Sequence, residues 1–116
     1  LRFQRAGREA SRRLQQAKKL LAQGNAEQYH AELLRALTSY FEHKLRLPKA
    51  SMSTEEILTR LASKGVPEET VAGVRQCMER AEFARYAPGA DSREARQDLL
   101  DAASRAIESV EQTFKR

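Results

Sequence analysis

The chain has 116 residues and a net charge of +5, with 41% apolar and 32% charged side chains, a composition typical of one small folded domain. Its single cysteine excludes a disulfide framework, and 5 glycines with 3 prolines are too few for the turns of a β-sandwich. No apolar run approaches the roughly 20 residues that a membrane-spanning helix needs, and no signal-peptide pattern is present.

The first predicted helix covers residues 1–23. Apolar side chains recur along it at three- and four-residue spacing, as on one buried helix face. They are Phe3, Ala6, Ala10, Leu14, Ala17 and Leu21. Most are alanine, so another helix can approach closely. Gly24 follows and can adopt the left-handed conformation that ends a helix.

The second predicted helix carries the richest apolar face of the chain. Asn25 is a favourable N-cap, and the helix extends from about residue 26 to 45 or 46, before Pro48 stops it. Its apolar face consists of Tyr29, Leu33, Leu34, Leu37, Tyr40, Phe41 and Leu45. We expect this helix to supply the centre of the core.

Two shorter segments follow, and both have clear start signals. Ser53 and Glu56 form a capping box, with an inner face of Ile57, Leu58 and Leu61, and Gly65 ends this third helix. Pro67 suits the first position of a fourth helix, which ends around residues 85–86. Its predicted inner face consists of Val71, Val74, Met78 and Ala81, with Phe83 nearby.

A fifth helix begins after the loop at residues 87–90, with Asp91 as its cap and Glu94 three residues later. It extends to about Phe114. Its predicted inner face consists of Ala95, Leu99, Ala102, Ala103, Ala106, Val110 and Phe114. Together these patterns predict an all-α fold: one small bundle of about five helices, with a basic helix at 1–23 and the rest of the bundle at 26–114.

The positive charge belongs to the first helix. Residues 1–20 contain seven basic side chains against Glu9, whereas the remaining 96 residues hold 14 basic and 15 acidic ones. The seven are Arg2, Arg5, Arg8, Arg12, Arg13, Lys18 and Lys19. This segment fits the cytoplasmic flank of a membrane span near anionic lipid, a nucleic-acid contact, or simply a solvated helix face. The chain begins with Leu1 rather than Met, so we expect a piece of a longer, membrane-anchored chain.

The residues that carry chemistry predict no catalytic, cofactor or metal site, and therefore no enzyme. His30 and His43 are thirteen residues apart, too far for ligation from one helix face, and are predicted to be surface or edge residues. Cys77 is predicted to be a buried apolar residue. The third and fourth helices imitate a helix-turn-helix, but Glu68 and Glu69 would face phosphates, so nucleic acid is not the expected partner.

Binding to another protein is the remaining interpretation. Chemistry alone suggests Lys44, Arg46, Arg85 and Tyr86 as partner-binding residues. A simpler interpretation of the segment 85–89 is a chain turn, with Tyr86 packed on the bundle and Arg85 paired with an acid such as Glu82.

The spacing of several short motifs resembles the C-terminal cytoplasmic domain of BatD-type proteins, the bacterial aerotolerance or oxygen tolerance family. The motifs are Leu34-Arg35-Ala36-Leu37, Tyr40-Phe41, Lys44-Leu45-Arg46-Leu47-Pro48, Thr54-Glu55-Glu56-Ile57, Gly65-Val66-Pro67-Glu68-Glu69, Cys77 and Ala84-Arg85-Tyr86-Ala87-Pro88-Gly89. The resemblance covers about residues 26–110. Phe41 replaces an aliphatic residue of the family pattern, and Glu82-Phe83 precedes Ala84.

This resemblance implies a helical domain on the cytoplasmic side of the bacterial inner membrane, after one membrane span. It implies a non-enzymatic adaptor that acts with MoxR-type AAA+ ATPases and von Willebrand factor A-domain proteins in stress or oxygen tolerance. The family assigns no catalytic residue to the domain, so none is carried over. The alternative, from charge alone, is a helical module that binds lipid or nucleic acid.

Overall fold

A computed structural model describes residues 5–86 and 91–114, without the side chain of Arg85. These residues form five α-helices and one short 3-10 helix, with no strand among them, which confirms the all-α prediction. The helices are α1 (Arg5–Ala22), α2 (Ala26–Leu45), α3 (Thr54–Ser63), α4 (Glu68–Tyr86) and α5 (Arg93–Phe114).

The predicted start and stop signals set most helix ends. The side chain of Asn25 accepts a hydrogen bond from the backbone N–H of Gln28 at 3.2 Å, and Ser53 accepts one from Glu56 at 3.1 Å. Gly24 has a φ of 75°, the left-handed conformation that a side chain disfavours. Each of these residues satisfies a helix end that would otherwise expose unpaired backbone groups.

The predicted cap of α5 is wrong by one residue. The helix begins at Arg93, and Ser92 rather than Asp91 accepts the hydrogen bond from the N–H of Ala95, at 3.0 Å. Asp91 is turned inward, where its carboxylate pairs with Arg96 at 3.1 Å. This ion pair, between residues five apart in sequence, therefore takes the side chain that the sequence pattern assigned to the cap.

Four helices surround the core in an up-down order. α1 packs against α2 and α5, and α4 packs against the same two helices, so α1 and α4 occupy opposite corners. α3 lies on α4 and α2. The buried core combines the predicted face of α2 with Leu14 and Leu21 of α1, Ile57 and Leu61 of α3, and further residues of α4 and α5.

Two tyrosines of α2 cross the bundle diagonal to α5. The Tyr29 hydroxyl donates to the backbone carbonyl of Arg96, and the Tyr40 hydroxyl donates to the Glu111 carboxylate. The contacts advance in the same order along both helices, so α2 and α5 are parallel. Both tyrosines are almost fully buried, and burial raises their pKa values.

Candidate docking surface

A shallow apolar groove separates α4 from α5 near the end of the bundle where α4 finishes. Its volume is about 340 Å³. Among the residues that line it are Gln76, Arg80, Phe83, Ala84, Ala95 and Leu99. Small alanines on both helices leave the space open. The guanidinium of Arg80 crosses it and donates to the Ala95 carbonyl at 3.4 Å.

Two aromatic side chains of α4 remain in water. Phe83 is 72% exposed and Tyr86 is 81% exposed, whereas the other large apolar side chains that the structure describes are packed inside or partly covered. Phe83, which the sequence places near the inner face, points outward instead, because Val74, Met78 and Ala81 fill the core side of the helix. Exposed aromatic side chains beside an apolar groove are typical of protein-binding surfaces.

The structure places Lys44 and Arg46 apart from Tyr86, another predicted partner-binding residue. Tyr86 lies at the C-terminal end of α4, and the side chain of Arg85 lies outside the described residues. Arg46 is exposed at the end of α2, where it has a φ of 54°. Because α2 is antiparallel to α4, Lys44 and Arg46 lie at the opposite end of the bundle from Tyr86. Lys44 and Arg46 therefore do not form one patch with Tyr86.

Lys44 is largely buried rather than presented to a partner. Its side chain is 6% exposed, and its ammonium lies 2.6 Å from the Glu111 carboxylate, whose side chain is 3% exposed. The same Glu111 oxygen accepts from the Tyr40 hydroxyl at 2.7 Å. The Lys44 ammonium also lies 5.3 Å from the ring centre of Phe114. This cluster links α2 to the end of α5.

Sequence reasoning missed Glu111 as an interior residue. Its position carries a weak signal, because it follows Leu100 by eleven residues and Ile107 by four, on one edge of the apolar face of α5. Tyr40 and Lys44 are also four apart on α2. Nothing in the local pattern, however, indicates that these two edges meet across the bundle.

His30 is a second buried polar residue, and the prediction that it is a surface or edge residue is wrong. It is 2% exposed, and neither ring nitrogen has a hydrogen bond of good geometry. Its Nε2 lies 3.4 Å from the Asp91 carboxylate, which also pairs with Arg96. The ring contacts Tyr29 edge-on at 5.0 Å. His43, by contrast, is exposed as predicted.

The chemistry of Cys77 is that of an interior side chain, as the sequence predicts. It is 2% exposed, and burial raises its pKa to about 11, so the thiol is protonated at neutral pH. Within the described residues, no group of three or more His, Cys, Asp or Glu side chains is arranged to hold a metal ion.

The basic residues of the first helix lie mainly in solvent. Arg2 lies outside the described residues. The exposed members are Arg5, Arg8, Arg12, Lys18 and Lys19. Arg12 pairs with Glu9 at 3.2 Å, and Arg13 is partly buried 4.0 Å from Glu32 of α2.

No family model, curated protein or solved structure matches the chain. The resemblance to BatD-type proteins therefore stays a prediction that depends on the quoted motifs. In the described part of the chain, no helix combines the length and apolar character that crossing a membrane requires.

Proposed function

We propose that this domain is a non-enzymatic adaptor that docks a protein partner on the groove between α4 and α5. The partner we propose is a MoxR-type AAA+ ATPase, or an A-domain protein that acts with it, at the cytoplasmic face of the bacterial inner membrane. This identity of the partner and the role in oxygen tolerance come from the motif resemblance. The proposal assigns no cofactor, metal or catalytic residue to the domain.

One observation supports the docking surface above the others: Phe83 is 72% exposed beside an apolar groove. Burying a phenylalanine side chain contributes about 1.5–3 kcal/mol, so its exposure in the isolated domain leaves that free energy to be gained on binding. Aromatic side chains next to a pocket are frequent hot spots of interfaces. Tyr86, three residues later on α4, extends the same aromatic area.

The groove suits an apolar side chain of the partner, flanked by polar contacts. Leu99 and Ala95 provide apolar walls on α5, while Glu79 and Arg80 place one charge of each sign on α4. A central apolar contact with a charged rim is the usual arrangement of a protein interface. We therefore expect affinity to depend mainly on Phe83 and only weakly on the rim.

Binding to a purified MoxR-type ATPase, measured by calorimetry, tests this proposal. Phe83→Ala should weaken binding at least about tenfold, the equivalent of losing roughly 1.4 kcal/mol of apolar burial, and Tyr86→Ala should weaken it in the same direction. Lys64→Ala is the matched control, because Lys64 is exposed and does not line the groove.

Two results would contradict the proposal. One is that neither the ATPase nor an A-domain protein binds the wild-type chain. The other is that Phe83→Ala binds as tightly as Lys64→Ala while both variants keep the thermal stability of the wild type. The second result would place the interface elsewhere on the domain.

A further inference from the structure

The groove between α4 and α5 continues toward the start of α4. A second hollow, of about 410 Å³, lies between the same two helices, and Gln76 lines both hollows. On α4 the lining extends from Glu69 to Ala84, and on α5 it extends from Ala95 to Ser109. At 1.5 Å per residue, each wall is about 21 to 23 Å long. We call the two hollows together the long groove.

Both walls of the long groove repeat with the same spacing. The lining of α4 includes Glu69, Gly73, Gln76, Arg80 and Phe83, and that of α5 includes Ala95, Leu99, Ala102, Ala106 and Ser109. Each set advances by four, three, four and three residues. This repeat keeps successive residues on one straight seam of a helix, which is the arrangement that lets a further helix pack alongside.

Gly73 keeps the middle of the long groove open. In the described part of the chain, a Cβ atom at this position would meet no heavy atom within 4 Å outside the adjoining backbone. Packing within the domain therefore gives no reason for a glycine here, where it weakens the helix. Together with Ala102 and Ala106 on the facing wall, Gly73 lets the backbone of another helix approach closely.

The charges on the two sides of the long groove differ in sign. Glu69 and Glu79 lie on the α4 side, and both are exposed. Arg105 lies on the α5 side. The guanidinium of Arg80 extends across the groove to the Ala95 carbonyl, so its charge also lies toward α5. The α4 edge is therefore acidic and the α5 edge basic.

These edge charges are available to a partner. Among the described residues, the side chains of Glu69 and Arg105 form no ion pair. Glu79 lies 3.7 Å from Arg75 in a pair that is largely exposed, and such pairs contribute little. Asp91 also lines the groove, but its carboxylate is turned inward to a partner on α5.

With the groove taken as the docking surface, as in the proposed function, we infer that its occupant is an amphipathic α-helix of the partner protein. This helix is about four turns long and lies lengthwise between α4 and α5. Its apolar side chains follow the alternating spacing of three and four residues that both walls show. Basic side chains flank this apolar face next to α4, and acidic side chains flank it next to α5.

An extended peptide is less suited to the long groove than a helix. The backbone N–H and C=O groups of α4 and α5 are bonded within each helix, and the floor at Leu99, Ala102 and Ala106 is apolar. The backbone of an extended peptide would therefore leave water without gaining hydrogen-bond partners. A helix satisfies its own backbone and presents only side chains to the groove.

Fluorescence anisotropy with a designed helical peptide of about 18 residues tests this occupant directly. The probe has leucine or alanine at the alternating positions, lysine on one flank and glutamate on the other. It should bind the whole 116-residue chain at least about tenfold more tightly than a scrambled peptide of the same composition. Versions with lysine on both flanks, or glutamate on both, should each bind at least about threefold more weakly than the probe at low salt. That difference should shrink at about 0.5 M salt.

Gly73→Leu tests whether the middle of the long groove is used. The leucine fills the space that the peptide would occupy, so binding of the probe should weaken at least about tenfold. The new Cβ meets open space and glycine is a poor helix residue, so the melting temperature should stay equal or rise. Ala72→Leu is the matched control, because Ala72 is exposed and lines neither hollow. It should change binding less than about twofold.

The helical occupant is excluded if the probe binds no better than the scrambled peptide, or if Gly73→Leu binds the probe as tightly as Ala72→Leu. A dimer of the free chain that Gly73→Leu dissociates, seen by sedimentation equilibrium, would assign the groove to a second copy instead. Binding of the probe but not of the ATPase would remove the proposed partner and support the helical occupant. Binding of the ATPase that depends on Phe83 but not on Gly73 would support the docking surface and overturn the helical occupant.

Discussion

The buried ion pair between Lys44 and Glu111 should be a major determinant of stability, and its removal gives the sharpest test of the packing. The two charged groups lie 2.6 Å apart with side-chain exposures of 6% and 3%. Lys44→Met removes the ammonium that pairs with the buried Glu111 carboxylate. Removing one partner of such a pair costs about 3–5 kcal/mol, because the remaining charge stays away from water.

That cost is large for a domain of this size. Domains are stable by about 5–15 kcal/mol in total. With an unfolding entropy of about 2.1 cal/mol/K per residue, a loss of 3–5 kcal/mol lowers the melting temperature by about 12–20 °C. Glu111→Gln should produce a similar loss, since it removes the negative charge that lies against the buried Lys44 ammonium while keeping an acceptor for the Tyr40 hydroxyl.

Urea unfolding followed by circular dichroism measures these losses, and a double-mutant cycle separates the pair from its surroundings. Lys44→Met with Glu111→Gln should cost at least about 2 kcal/mol less than the sum of the single variants. Arg60→Met is the matched control, because Arg60 pairs with Glu56 at 3.0 Å but both are substantially exposed. It should cost no more than about 0.5 kcal/mol. A coupling free energy below about 0.5 kcal/mol for the buried pair would refute the reasoning.

Three further predictions concern local features. Burial raises the pKa of the Cys77 thiol from 9.0 to about 11, so the native thiol should resist alkylation at pH 8. Because the thiol of the unfolded chain ionises first, a stabilisation on the order of 2 kcal/mol should be lost between about pH 9 and 11. Cys77→Ala should remove this part of the pH dependence of stability, and an unchanged dependence would count against the role of Cys77. Ser53→Ala should destabilise the domain by about 1 kcal/mol through loss of the hydrogen bond to Glu56, whereas Ser51→Ala, in the preceding 3-10 helix, should have little effect on urea unfolding. Arg46→Gly should raise the melting temperature, because glycine adopts the left-handed conformation of this position without steric strain, and the free energy of unfolding should rise by up to about 1 kcal/mol. A lower melting temperature would mean that the arginine side chain stabilises the end of α2.

The helices and most of their ends were predictable because the signals are local. Asn25, Ser53 and Gly24 act on backbone groups within a few residues, so their effect does not depend on the rest of the fold. The apolar spacing likewise identifies the buried face of each helix without knowledge of its neighbours. Leu100 and Ile107 were missed only because they lie at the edge of the predicted face of α5.

The buried polar residues could not be predicted, because each depends on a partner distant in sequence. Lys44 and Glu111 are separated by 67 residues, and His30 and Asp91 by 61. A charged side chain is expected at the surface unless a partner compensates its burial, and only the tertiary arrangement, in which α2 lies diagonally opposite α5 and the segment before it, brings these partners together. Asp91 pairs with Arg96, five residues later, and lies 3.4 Å from His30, so Ser92 rather than Asp91 caps α5.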